Sequence, residues 1–185
     1  MICLACWLHL LGYAKRWNKE LHLGMQKVNE IIWQQFGASI DMLRNAIAEC
    51  PDALWDNGSL FWYNAYHTLF FLDYYMSEEP TKFHPHAPFT MSEMNPAGEM
   101  PDRTYAKQEL LDYLDHCRNK CKRRVLAFTD ASVFSPVTTY NKVYPAIEVV
   151  MFNTRHVQHH TAQLNLLMRQ FGVDPPGWVP RAKED

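Results

Sequence analysis

The chain has 185 residues, 48% of them hydrophobic, and sets 18 Lys and Arg against 20 Asp and Glu for a formal charge of −2. That is the length of one domain with enough apolar material for a full core, which excludes a disordered chain and removes any need for disulfide staples. The near-neutral balance carries no basic excess, so nucleic acid is not an expected partner.

Met1–Tyr13 is apolar, but it lacks the basic start and the small-residue cleavage site of a signal peptide. It is also too short to cross a bilayer. Residues 1–24 are therefore read as a loosely attached N-terminal extension, and residues 25–185 as the domain. Cys3 and Cys6 form a C-x-x-C with no second pair at zinc-finger spacing. With Cys50, Cys117 and Cys121 they read as reduced thiols of a cytoplasmic protein.

The first helical segment runs from about Met25 to Glu49, with Val28, Ile31, Ile32, Gln35, Ile40, Leu43 and Ile47 as its buried stripe. Cys50-Pro51 ends it. The second runs from about Ser59, a candidate N-cap, to Met76 and is apolar on nearly every face. Such a helix is central, or is covered by a dimer partner. Asn64, His67, Thr68 and Asp73 interrupt it too often for a membrane span. Residues 77–101 hold five prolines and read as a long crossover.

The third segment runs from an N-cap at Thr104 to Phe128. Lys120, Lys122, Arg123 and Arg124 lie near its C-terminal end, where the helix dipole favours cations. The same cluster could bind phosphate, but a solvated helix end is the simpler reading. A loop over Thr129–Tyr144 follows, and no strand is expected. The fourth segment begins with Pro145 as its first helical residue, runs to Phe171 and stops at Gly172. A Pro-rich tail is expected to pack over the surface through Trp178. The class is all-α: four helices with long connections, a bundle with a crossover.

The nine histidines matter because histidine is the commonest metal ligand and general base. In the fourth segment His156 and His160 lie about 40° apart on one helix face, a spacing that lets two imidazoles reach one ion. Gln163 shares that face, about 20° to the other side. His159, about 60° off, is a weaker neighbour. A third ligand has to come from another helix, and His67 in the apolar second segment is the candidate. A histidine on an aromatic helix is usually a hydrogen-bonded core residue, but one beside an i, i+4 pair on a facing helix fits a ligand. Three neutral imidazoles leave a coordination position open, as in catalytic sites. Zinc and nickel both suit imidazole, and iron and manganese stay open. His84 and His86, around Pro85, read as exposed loop residues, and no partner is assigned to His9, His22 or His116.

The run Trp62-Tyr63-Asn64-Ala65-Tyr66-His67, with His-x-x-His-His-x-x-Gln-Leu at 156–164, resembles the DinB/YfiT-like superfamily of metalloenzymes. The likeness spans roughly Met25 to Trp178 and includes Pro51-Asp52-Ala53-Leu54-Trp55 and the start of the third segment. It implies an up-down-down-up four-helix bundle, often dimeric, with a divalent metal held by His67, His156 and His160. It also implies chemistry such as thiol-dependent S-transfer, using a low-molecular-weight thiol and a small-molecule substrate. Where Arg-Gly is frequent in the family before Gln163, this chain has Thr161-Ala162. Gln163, Asn64, Tyr63 and His159 are then candidate contacts around the metal or substrate. The competing expectation is a non-catalytic dimeric bundle, a stress-response or ligand-binding protein with a structural or vestigial metal site.

Overall fold

A computed structural model describes residues 4–140 and 142–184, with side chains from residue 23 onward. The extension expected over residues 1–24, with Cys3, Cys6, His9 and His22, falls almost wholly outside the described side chains. The protein is mostly helical. Its helices are α1 (Leu4–Glu49), the single turn α2 (Asp52–Trp55), α3 (Phe61–Tyr75), α4 (Lys107–Leu126) and α5 (Ala146–Gln170). No helix among the described residues is long and apolar enough to cross a membrane.

The first segment expected from Met25 is thus part of a longer helix, and the expected buried stripe holds at Ile40, Leu43 and Ile47 but fails in the turns before them. Val28 and Ile31 are 46% and 62% exposed, and Gln35 is also exposed. The inward stripe is Asn29, Trp33, Phe36 and Ile40, continuing through Leu43 and Ile47. A polar residue opens that stripe because Asn29 Nδ2 donates to the Phe128 carbonyl at 2.8 Å, satisfying the end of α4. Val28 and Ile31 lie on the outer side, and it is the polar Asn29 that carries the inward face through this part of the helix.

Direction follows from the pairs that meet. Along α1 and α4, Asn29 reaches Phe128, Asp41 reaches Arg118 and Lys107 reaches Cys50, so the two run antiparallel. Along α3 and α4, Leu69 meets Cys117, Asp73 meets Lys120 and Met76 meets Arg124, so these run parallel. Tyr75 lies on Phe152 and Asn64 on His160, so α3 and α5 run antiparallel. α1 also packs on α5. Helix α3, apolar all round, is buried within the chain, with Phe61, Tyr66, Leu69, Phe70 and Leu72 fully enclosed.

Several caps differ from expectation. α3 starts one residue late, behind Leu60, whose φ of 58° is left-handed; Ser59 instead donates its N–H to Asn57 Oδ1. α4 is capped at Ala106, whose N–H donates to Glu109 Oε2 at 2.8 Å, while Thr104 donates to Asp56. Pro145 stands just before α5 rather than inside it. Gly172, at φ 86°, closes α5 as expected. The basic end of α4 is not simply solvated. Lys120 Nζ donates to Asp73 Oδ1, and Arg124 donates to the Met76 carbonyl at 2.8 Å, completing the C-terminus of α3.

The loop expected over Thr129–Tyr144 contains a hairpin, β1 (Pro136–Thr139) and β2 (Lys142–Pro145), antiparallel with Thr139 opposite Lys142. The two-residue turn places Tyr140 at φ 49°, a left-handed geometry such turns demand. No Gly marks the turn; the readable signal is the strand-forming run Val137, Thr138, Thr139 and Tyr140 before Asn141, with Val143 and Tyr144 after it. The crossover after α3 forms 3-10 turns at Pro80–Lys82 and Ser92–Met94 and buries Phe83 and Phe89 in the core. Phe89 stacks on Tyr113 with centroids 4.2 Å apart.

The tail does not anchor through Trp178, which is 70% exposed. Instead Ala182 N–H donates to the Gln34 carbonyl at 2.9 Å, and Lys183 N–H to Asp41 Oδ2 at 2.7 Å. Gly37 makes room: a Cβ there would sit 2.7 Å from that of Ala182. Cys50, Cys117 and Cys121 are free and buried. Burial pushes the Cys50 thiol up to about 12 and the other two upward as well.

Candidate metal centre

Helices α3 and α5 lie side by side and each presents one stripe to the other. On α3 the stripe is Asn64, His67, Phe71 and Tyr75; on α5 it is Phe152, His156, His160 and Gln163. The crossing brings His67, His156 and His160 together, each half-buried and each offering a nitrogen within 4.8 Å of the other two. Ring centroids are 4.6 Å apart for His156–His160, 4.7 Å for His67–His160 and 5.6 Å for His67–His156.

Each imidazole has two nitrogens, and the neighbours decide which remains free. His67 Nδ1 donates to Glu93 Oε2 at 2.6 Å, leaving Nε2. His160 Nδ1 faces two amide oxygens, Gln163 Oε1 at 2.8 Å and Asn64 Oδ1 at 3.0 Å, so it carries the proton and Nε2 keeps the lone pair. His156 has no such partner. Its Nδ1 is buried and makes no hydrogen bond, so no oxygen acceptor fixes this ring's tautomer.

The electrostatics agree with neutral ligands. Desolvation, followed by the charge each ring would place on the others, lowers His156 to about 3. The same causes, desolvation first and His67 next, lower His160 to about 4. At neutral pH both rings are uncharged with lone pairs available, the state a divalent cation requires. The donor set is three imidazoles, two of them held by hydrogen bonds to oxygens, and its chemistry suits a metal ion.

Glu93 is the residue that the sequence does not reveal. It lies in the Pro-rich crossover, in the Ser92–Met94 turn, and its side chain is only 4% exposed. Its Oε1 is buried without a partner. Nothing in the residue pattern singles out this carboxylate among the loop's acids. The other sequence candidates fall around the cluster. Gln163 and Asn64 hold His160, and Gln163 Nε2 also reaches His159 Nε2 at 3.2 Å. Tyr63 lies beside Glu93; burial and then that carboxylate push its phenol up to about 12. His159 is exposed and meets the cluster at His160 and Gln163. Thr161 is buried, whereas Ala162 faces solvent.

His84 and His86 lie in the crossover and stand away from the cluster. His86 lies against His116, centroids 5.1 Å apart, beside a cavity that also takes in Asp73 and Lys120. Set against known proteins, the sequence matches no family model and no curated protein.

Proposed function

We propose that the chain is a DinB/YfiT-like divalent-metal protein, an up-down-down-up four-helix bundle whose zinc or nickel site serves thiol-dependent transfer to a small electrophile. The observation that carries this reading is the convergence of His67, His156 and His160, two of them already held through Nδ1 by oxygen acceptors. The bundle topology is supported by the antiparallel α1–α4 and α3–α5 pairs and the parallel α3–α4 pair.

A bound divalent cation lowers the pKa of a thiol or water in its open position, so that either is nucleophilic near neutral pH. The chain's own residues set up that position. Glu93 fixes the His67 tautomer, Asn64 and Gln163 fix that of His160, and Phe71 and Tyr75 pack against His156. A low-molecular-weight thiol is the favoured nucleophile, and a homodimer the favoured assembly.

Metal analysis of the purified protein tests the reading. One zinc or nickel per chain is expected, lost in His156→Ala. Sub-stoichiometric metal that the substitution does not change would sink it.

A further inference from the structure

Beside the three imidazoles the hairpin and the start of α5 enclose a cavity of about 480 Å³, within the size range of small-molecule sites. Its walls are the rings of Tyr75, Tyr140, Tyr144 and Phe152, with Val149 between them. The wall is continuous with the metal cluster. Tyr75 packs on Phe152 at 5.0 Å and on His156 at 6.2 Å, and Phe71 bridges Tyr140 at 6.5 Å to His67 at 4.8 Å. On α5, Val149, Phe152, His156 and His160 continue a single stripe, so cavity and cluster share one helix face.

Two features describe what the cavity takes. Among the described residues, no hydrogen bond to protein engages the hydroxyls of Tyr75, Tyr140 and Tyr144, although each can donate and accept. They stand near one another: after burial, the charges that Tyr140 and Tyr144 would carry push the Tyr75 phenol upward. The charged groups at the lining are Lys142 and Glu148, one of each sign, so the cavity offers no net charge to a ligand.

We propose that this cavity binds an uncharged, planar aromatic group bearing a hydrogen-bonding oxygen, and that it holds the substrate's aromatic part beside the imidazole cluster. The role assigned to the cluster rests on the metal reading above; the cavity's ligand does not. Flat rings on several sides favour a flat guest, since stacked and edge-on aromatic pairs gain attraction beyond their buried area. The tyrosine hydroxyls then fix the guest's orientation through its oxygen.

The test uses 2-naphthol, with decahydro-2-naphthol as a non-planar control of similar size, titrated into the full chain by calorimetry. One saturable 2-naphthol site is expected, with the control at least tenfold weaker. Phe152→Asp, at a 47% exposed position and with a circular dichroism spectrum matching wild type as the check on folding, should weaken 2-naphthol at least tenfold and leave zinc stoichiometry intact. His160→Ala should abolish zinc binding and spare 2-naphthol. With cobalt loaded in place of zinc, the resonances of bound 2-naphthol should broaden in wild type and not in His160→Ala. Absence of a saturable site, equal affinity for the control, or indifference to Phe152→Asp overturns the aromatic assignment. Absence of cobalt broadening, with cobalt bound, overturns its place beside the cluster. Failure of zinc to bind while 2-naphthol behaves as expected counts against the metal reading alone.

Discussion

Glu93 touches no metal in the proposed centre and acts only through His67, which makes it a sharp probe of the site. Glu93→Gln should lower zinc affinity about 10- to 100-fold, the usual penalty for losing a carboxylate behind a ligating histidine. Competition against a chromophoric chelator measures this, and circular dichroism of the variant should be unchanged. An unaltered zinc affinity would mean that the Glu93 contact merely anchors the loop. The same residue marks where the sequence stops being readable. His156 and His160 share a face whatever else the protein does, because helical spacing projects side chains predictably. His67 stands out as an imidazole in a helix apolar on nearly every side. The position of Glu93 depends instead on how a long Pro-rich crossover folds back, and no local periodicity encodes that.

At the scale of the element, two contacts invite measurement. Asp41, 1% exposed, accepts from Arg118 Nε at 2.9 Å and from Lys183 N–H, joining α1, α4 and the tail. Asp41→Ala should destabilise the protein by about 3–5 kcal/mol, because it leaves a buried guanidinium without its carboxylate. Urea unfolding gives the magnitude, and faster amide exchange at Lys183 would show that the tail has been released. At the start of α4, Arg103 grips Glu109 through two hydrogen bonds of 2.7 and 2.8 Å and, with the Ala106 N–H, lowers its carboxyl to about 2. A carboxyl depressed in the folded state binds fewer protons than in the unfolded chain. Its contribution is therefore complete above the ordinary glutamate value and fades as pH falls through about 2. Glu109→Gln should accordingly be less stable than wild type at pH 6, with the gap closing steadily below pH 4.5. Parallel denaturation curves from pH 6 to pH 2 check this; a constant gap would contradict the assignment. The helices themselves are legible in the sequence, and their faces and caps less so. Long periodic runs declare themselves, but α1 turns its Val28–Ile31 side outward because Asn29 and Trp33 have better partners inside. The hairpin is only weakly marked in the sequence: Val, Thr and Tyr flank Asn141, but the strands are four residues long and Tyr140 takes the left-handed turn position without a glycine.

At the scale of the whole molecule, the candidate centre is gathered from parts of the chain that meet only after the helices have packed: α3, the crossover and the C-terminal long helix. The His67–Glu93 bond adds a property that neither helix has alone, since it fastens the middle of a long connection to the floor of the site. An ion drawing on the His67 lone pair makes the opposite N–H more acidic and tightens its grip on Glu93. Metal in the proposed site would thereby hold the crossover more firmly against α3. Proteolytic nicking of residues 77–101 should slow when zinc is added, giving a readout of loading that needs no substrate.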